Sequence, residues 1–231
     1  MTLTIYLLLI LAVATTFAYF RGRKKNRWIA GWIARSLEEV LKPRDTNYVN
    51  IGGTIGYNFT HQLSKPFTQA KGTYTLQPRQ SLLYLPLSLL IAGRDRFYMN
   101  LFIKGKLPGE GHILRKDYLR KMRTTITGME KMSRAEKEQG GSVYVLLWDR
   151  PEMEEKLSAF LEKGIRGPEF LHFCCYRDNS TFFLHLQPRK EEGFRAALQA
   201  AWKHLSIFLP KGGNHEEPAE RNHESGDDPE N

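Results

Sequence analysis

Residues 3–20 carry no charge, and the chain then meets Arg21, Arg23, Lys24, Lys25 and Arg27 in quick succession. An apolar run of eighteen residues is at the short end of what crosses a bilayer as a helix. A secretory signal places its positive charge before the apolar run and small residues at its end. Here the charge follows the run, which closes on Ala18-Tyr19-Phe20, a poor cleavage site. Residues 1–20 therefore read as a retained anchor. Basic flanks stay on the cytosolic side, so the N-terminus is expected outside (or in a lumen) and the body in the cytosol. Trp28 and Trp32 are expected to form an interfacial belt beside the basic flank.

The rest of the composition fits a cytosolic body. Its only cysteines, Cys174 and Cys175, are adjacent, and neighbours on a strand point to opposite faces. Neither a disulfide framework nor a thiolate metal site is expected from them. Asn58-Phe-Thr and Asn179-Ser-Thr match the glycosylation sequon, which a cytosolic location makes accidental. Residues 1–210 hold 32 basic and 18 acidic side chains, a net of +14, whereas residues 211–231 hold two and seven, a net of −5. A body this basic favours polyanions. The closing segment reads as a disordered acidic tail.

Between flank and tail, the periodicities indicate an α+β domain over residues 43–210, preceded by a basic juxtamembrane flank and helix at 21–42. Ile29, Ile33, Leu37 and Val40 give residues 28–41 one apolar helical face. The glycine-rich stretch at 50–59 lacks the phosphate-loop ending and reads as a bent strand or hairpin. Residues 72–78 and 97–104 read as strands. Residues 81–92 alternate Leu83, Leu85, Leu87, Leu89 and Ile91 around Pro86, and are expected mainly as strand, with an apolar membrane or protein contact as the alternative. Strand 143–148, helix 151–163, a hairpin of 169–176 with 181–187, and helix 190–208 follow. Together they predict a mostly antiparallel sheet with helices packed on one face.

Seven histidines contain no local metal-ligand spacing. If Asp178-Asn179 is the hairpin turn, His172 falls opposite His185, on the face away from an apolar set including Phe173, Cys175, Phe182 and Leu184. A half-exposed cross-strand pair is expected there. No metal, no cofactor and no catalytic set is expected. The strongest signal is residues 114–134. On one helix, Lys116, Arg120, Arg123, Lys131 and Arg134 would fall within an arc of about 80°, opposite Leu114, Tyr118, Met122, Ile126 and Met129. Such a stripe suits phosphate contacts on nucleic acid or on lipid head groups.

Residues 81–105 (Leu-Leu-Tyr-Leu-Pro-Leu-Ser-Leu-Leu-Ile, then Phe-Tyr-Met-Asn-Leu-Phe-Ile-Lys) and 170–208 resemble the calumin family. Those are single-pass proteins of the endoplasmic reticulum, within the translocon-associated chaperone (PAT) complex. The resemblance covers under a third of the chain and implies binding to ribosomes and the protein-conducting channel, assisting membrane-protein insertion. The chain departs from the family in its shorter length and in an acidic tail where the family has a basic one. The sequence expectation is therefore a membrane-anchored, non-enzymatic binding module whose partners are membrane lipid, ribosomal RNA or the ribosome, and the channel. The alternative is a membrane-bound enzyme or lipid-handling protein with an apolar pocket near residues 81–92.

Overall fold

Helix α1 (Thr2–Leu41) runs forty residues without a break. The computed structural model describes residues 2–91, 93–122, 126 and 128–209, without the side chains of Thr2 and residues 120–122, so the acidic tail lies outside the described residues. The two halves of α1 differ. Between Leu3 and Phe20 the large apolar side chains stand in the open, and α1 is the one described helix long and apolar enough to cross a membrane. Beyond that, one stripe is buried: Gly22, Asn26, Ile29, Ile33, Leu37 and Leu41, spaced by three or four residues. The apolar face expected over 28–41 is present, but it belongs to the same helix as the apolar run.

Among the described residues, nine strands form one antiparallel sheet: β1 (Asp45–Asn50), β2 (Gly56–Gln62), β3 (Phe67–Thr75), β4 (Arg96–Ile103), β5 (Gly111–Arg115), β6 (Ser133–Gln139), β7 (Ser142–Trp148), β8 (Phe170–Tyr176) and β9 (Thr181–Leu186). Their order across the sheet is β1-β2-β3-β4-β9-β8-β5-β7-β6. The glycine-rich stretch is the β1–β2 turn, where Gly53 adopts a φ of 62°, open to glycine at little cost. Helices α4 (Pro151–Gly164) and α5 (Glu191–His204), with the second half of α1, cover one face. The main core there joins Trp32, Ile33 and Leu37 of α1 to Phe59, Phe97, Phe160, Phe173 and Phe194. Trp32 is not part of an interfacial belt: it is 1% exposed, with its ring 5.5 Å from that of Phe194. Trp28 stays exposed.

Helix α3 (Lys116–Met122) packs on the opposite face, a departure from helices on one side only. Strand β7 shows the two faces directly. Tyr144, Leu146 and Trp148 enter the main core, while Val145 and Leu147 join Leu114, Leu119 and Ile126 in a second, smaller one. A strand buried on both sides reads as an unbroken apolar run.

The expected helix over 114–134 does not form. Leu114 lies in β5, α3 spans Lys116–Met122, a 3-10 turn spans Met129–Lys131, and Arg134 already lies in β6. Leu114, Tyr118, Ile126 and Met129 do pack together, but from a strand, a helix and a turn. Of the stretch 81–92, the described residues 81–91 likewise do not form a strand. Helix α2 (Tyr84–Ile91) occupies them, with Pro86 in the first turn, where a backbone N–H has no helical partner to lose.

Candidate membrane-facing site and a buried histidine row

The loop that carries α2 is tied to α1 at the end of the apolar run. Gly22 makes this possible: a Cβ there would lie 2.0 Å from the carbonyl oxygen of Arg79. One turn on, Asn26 donates from Nδ2 to the carbonyl of Gln77 at 2.8 Å and accepts from Arg79 Nη1 at 3.0 Å. Arg79 also grips Asp95 through two bonds of 3.0 and 2.7 Å, and Asp95 accepts the Gln77 N–H at 2.7 Å. The two ends of the 79–95 excursion are thereby clipped together and held against α1. Gln80, Ser81, Leu82 and Leu83 share a shallow cavity of about 350 Å³ with Thr15, Thr16 and Tyr19. Of the basic flank, Arg21, Lys24, Lys25 and Arg27 are exposed, while half-buried Arg23 donates to the Tyr19 hydroxyl at 3.0 Å.

The expected polyanion stripe is dispersed. Lys116 and Arg134 converge on one carboxylate, Glu136, at 2.7 and 2.5 Å. Lys131 is exposed on its turn, Arg123 lies outside the described residues, and only the backbone of Arg120 is described. Lys116 instead shares an open cleft of about 740 Å³ with Arg115, Asp117, Ser142, Val143 and Arg189. Arg115 is fixed there by Asp117, at 2.6 and 2.9 Å, and by the carbonyl of Pro168 at 2.8 Å.

The hairpin register is as the sequence indicates, with His172 opposite His185. An irregularity near the start of β8 sets Phe170, rather than Leu171, opposite Leu186. The exposure differs from expectation: His172 and His185 are 1% and 2% exposed. Tyr98 of β4 stacks on His185 with centroids 4.3 Å apart, and Tyr118 of α3 meets it edge-on at 5.0 Å. Burial holds both imidazoles below their ordinary pKa. His172 is pushed further by His112 and His185, and His185, at about 3, by Arg96 and Arg115. Three nitrogens in this pair, His172 Nδ1 and both of His185, have no hydrogen-bond partner among the described residues.

The row continues to β5. His112 Nδ1 lies 3.2 Å from His172 Nε2, and His112 Nε2 lies 3.2 Å from Glu110 Oε1 and 3.8 Å from Cys174 Sγ. Glu110, His112 and Cys174 are the one group among the described residues with ligand atoms close enough to hold a metal ion. Sequence spacing does not reveal it, because Cys174 reaches it across strands. Glu110-x-His112, two residues apart where β5 begins, is the only local signal. Burial pushes the Cys174 thiol well up, so a thiolate there would need a cation to form. Both His112 nitrogens are engaged, by His172 and by Glu110. Such contacts supply the hydrogen-bond partners a buried histidine needs.

No protein-family model matches the chain, and no curated protein matches it.

Proposed function

We propose that the protein is a membrane-anchored, non-enzymatic binding module that docks its cytosolic domain on the ribosome and the protein-conducting channel, assisting membrane-protein insertion. The continuity of α1 carries this reading: one helix is both the apolar run and part of the domain core, with no linker between. A domain built this way stands at a fixed height and angle on the bilayer, which suits a docking adaptor better than a freely tethered enzyme. The exposed cations of the flank, and Lys116, Lys131 and Arg189 on the body, offer phosphate contacts to ribosomal RNA. The resemblance of residues 81–105 and 170–208 to the calumin family supports the same partner. The lipid-handling alternative needs a pocket walled by Leu83–Ile91. Leu87, Leu89, Leu90 and Ile91 instead point outward.

Two measurements on native membranes test this. Protease added to sealed cells should spare the body, and solubilised full-length chain should sediment with ribosomes in a salt-sensitive manner. Digestion from outside, or no ribosome association at low salt, would overturn the reading.

A further inference from the structure

From the placement of α2 we infer that this helix is a second membrane contact, lying in the cytosolic leaflet beside the span and binding lipid acyl chains. The inference rests on the anchor reading above and adds a site to it. Three observations converge. First, α2 is exposed on nearly every side: Leu83 just before it, then Tyr84, Leu87, Leu89, Leu90 and Ile91, with Leu90 at 84%. Ser88 is its one buried residue, and the Tyr84 hydroxyl at its start is the one polar group among its exposed side chains. A helix that docks on a protein groove presents one apolar stripe and keeps a polar back. One that is apolar all around is matched by a medium that surrounds it.

Second, its depth is set by α1. Gln80–Leu83 face Thr15, Thr16 and Tyr19, which lie within the apolar run, not at the basic flank. Thr15 stands about 7 Å inside the end of that run at Phe20, from the 1.5 Å rise per residue. If residues 3–20 are in the bilayer, the start of the α2 segment is at acyl-chain depth. Interfacial helices sit about 5–10 Å into the boundary between head groups and chains. Third, the segment cannot be a second span. Eight residues reach about 12 Å, and both ends of the excursion return to the Arg79–Asp95 clip. The backbone suits this shallow position, since Ser81 accepts from the Leu85 N–H and the first turn contains Pro86.

The test uses the full chain reconstituted into phosphatidylcholine vesicles, with an environment-sensitive fluorophore on Leu90→Cys, Val13→Cys or Val49→Cys in turn. Cys174 and Cys175 are fully buried and stay unlabelled in the folded protein. Both the Leu90 and Val13 labels should emit blue-shifted light and lose fluorescence to bromine-substituted acyl chains. The Val49 label, on the exposed edge strand, should respond only to aqueous iodide. A Val13 label quenched by bromine with a Leu90 label quenched by iodide would overturn this inference and leave the anchor standing. A Leu90 label shielded from both quenchers would also overturn it, by showing a protein surface or a second copy as the occupant. A Val13 label open to iodide would remove the anchor, and this inference with it.

Discussion

Arg79 and Asp95 lie sixteen residues apart, yet their side chains meet at 2.7 Å and close the base of the α2 excursion. The pair is largely removed from water, with side-chain exposures of 20% and 6%. Asp95 also holds the Gln77 backbone, and Arg79 the Asn26 amide. The clip therefore transmits the position of α1 to α2.

Asp95→Ala should lower stability by about 3 kcal/mol, the low end for leaving one partner of a buried pair uncompensated, because Arg79 keeps some water. Chemical denaturation reads this cost, and limited proteolysis should show new cutting between residues 80 and 94. Unchanged stability together with unchanged proteolysis would mean that the clip holds nothing.

Gly22 and Gly31 lie on the same helix and should respond oppositely to alanine. At Gly22 the new Cβ would overlap the Arg79 backbone, so Gly22→Ala should cost about 1–3 kcal/mol through overpacking. At Gly31 the nearest atom is the mobile end of Arg35, at 3.5 Å. Gly31→Ala should be neutral or should stabilise by up to about 1 kcal/mol, from helix propensity alone. Denaturation midpoints of the two variants, compared side by side, decide the point.

The histidine row sets an acid limit. His172 and His185 are held neutral in the fold, His185 down to about 3, whereas in the unfolded chain each takes up a proton near 6.5. Below that value the unfolded state binds more protons, so stability falls as pH drops from about 6.5 toward 3. Each histidine contributes at most about 1.4 kcal/mol per pH unit. Replacing both by Phe should flatten denaturant midpoints over that window and leave the profile above pH 7 unchanged. An equally steep acid limb in the double variant would assign the loss to other groups.

The opposition of His172 and His185 is legible in the sequence because apolar residues alternate on both strands around a short turn. Their burial is not: His185 is covered by Tyr118 on α3 and Tyr98 on β4, and His172 by His112 on β5 and Phe183 on β9, and no local pattern ties α3, β4 or β5 to the hairpin. Residues 114–134 mislead for a related reason. Leu114, Tyr118 and Ile126 keep near-helical spacing, yet they reach one small core from a strand, a helix and a loop. In β6 the exposed Arg134, Glu136 and Glu138 alternate with half-buried Ala135, Lys137 and Gln139, the period of an edge strand. The leucines of 81–92 fit two periods at once, and burial, which normally arbitrates, is almost absent there. The long reach of α1 is hidden at the basic flank, where a block of charge ends the apolar run without ending the helix.

Glu136 stands between Lys116 and Arg134 and draws both inward. These ionic contacts are solvent-exposed, so removing the carboxylate should leave stability nearly unchanged. It would, however, release two cations toward any phosphate ligand. Glu136→Gln should therefore tighten binding to ribosomes or anionic vesicles at low salt. The salt dependence should steepen by about 0.7–0.9 for each additional phosphate neutralised. Replacing Lys116, Lys131 and Arg134 together with Gln should do the reverse, again with stability nearly unchanged. The two variants are opposite in charge change and share one surface, so a general solubility effect cannot imitate the pair. If both bind as the parent does at every salt concentration, this surface is only solvated, and contact with RNA would have to come from the juxtamembrane cations Arg21, Lys24, Lys25 and Arg27.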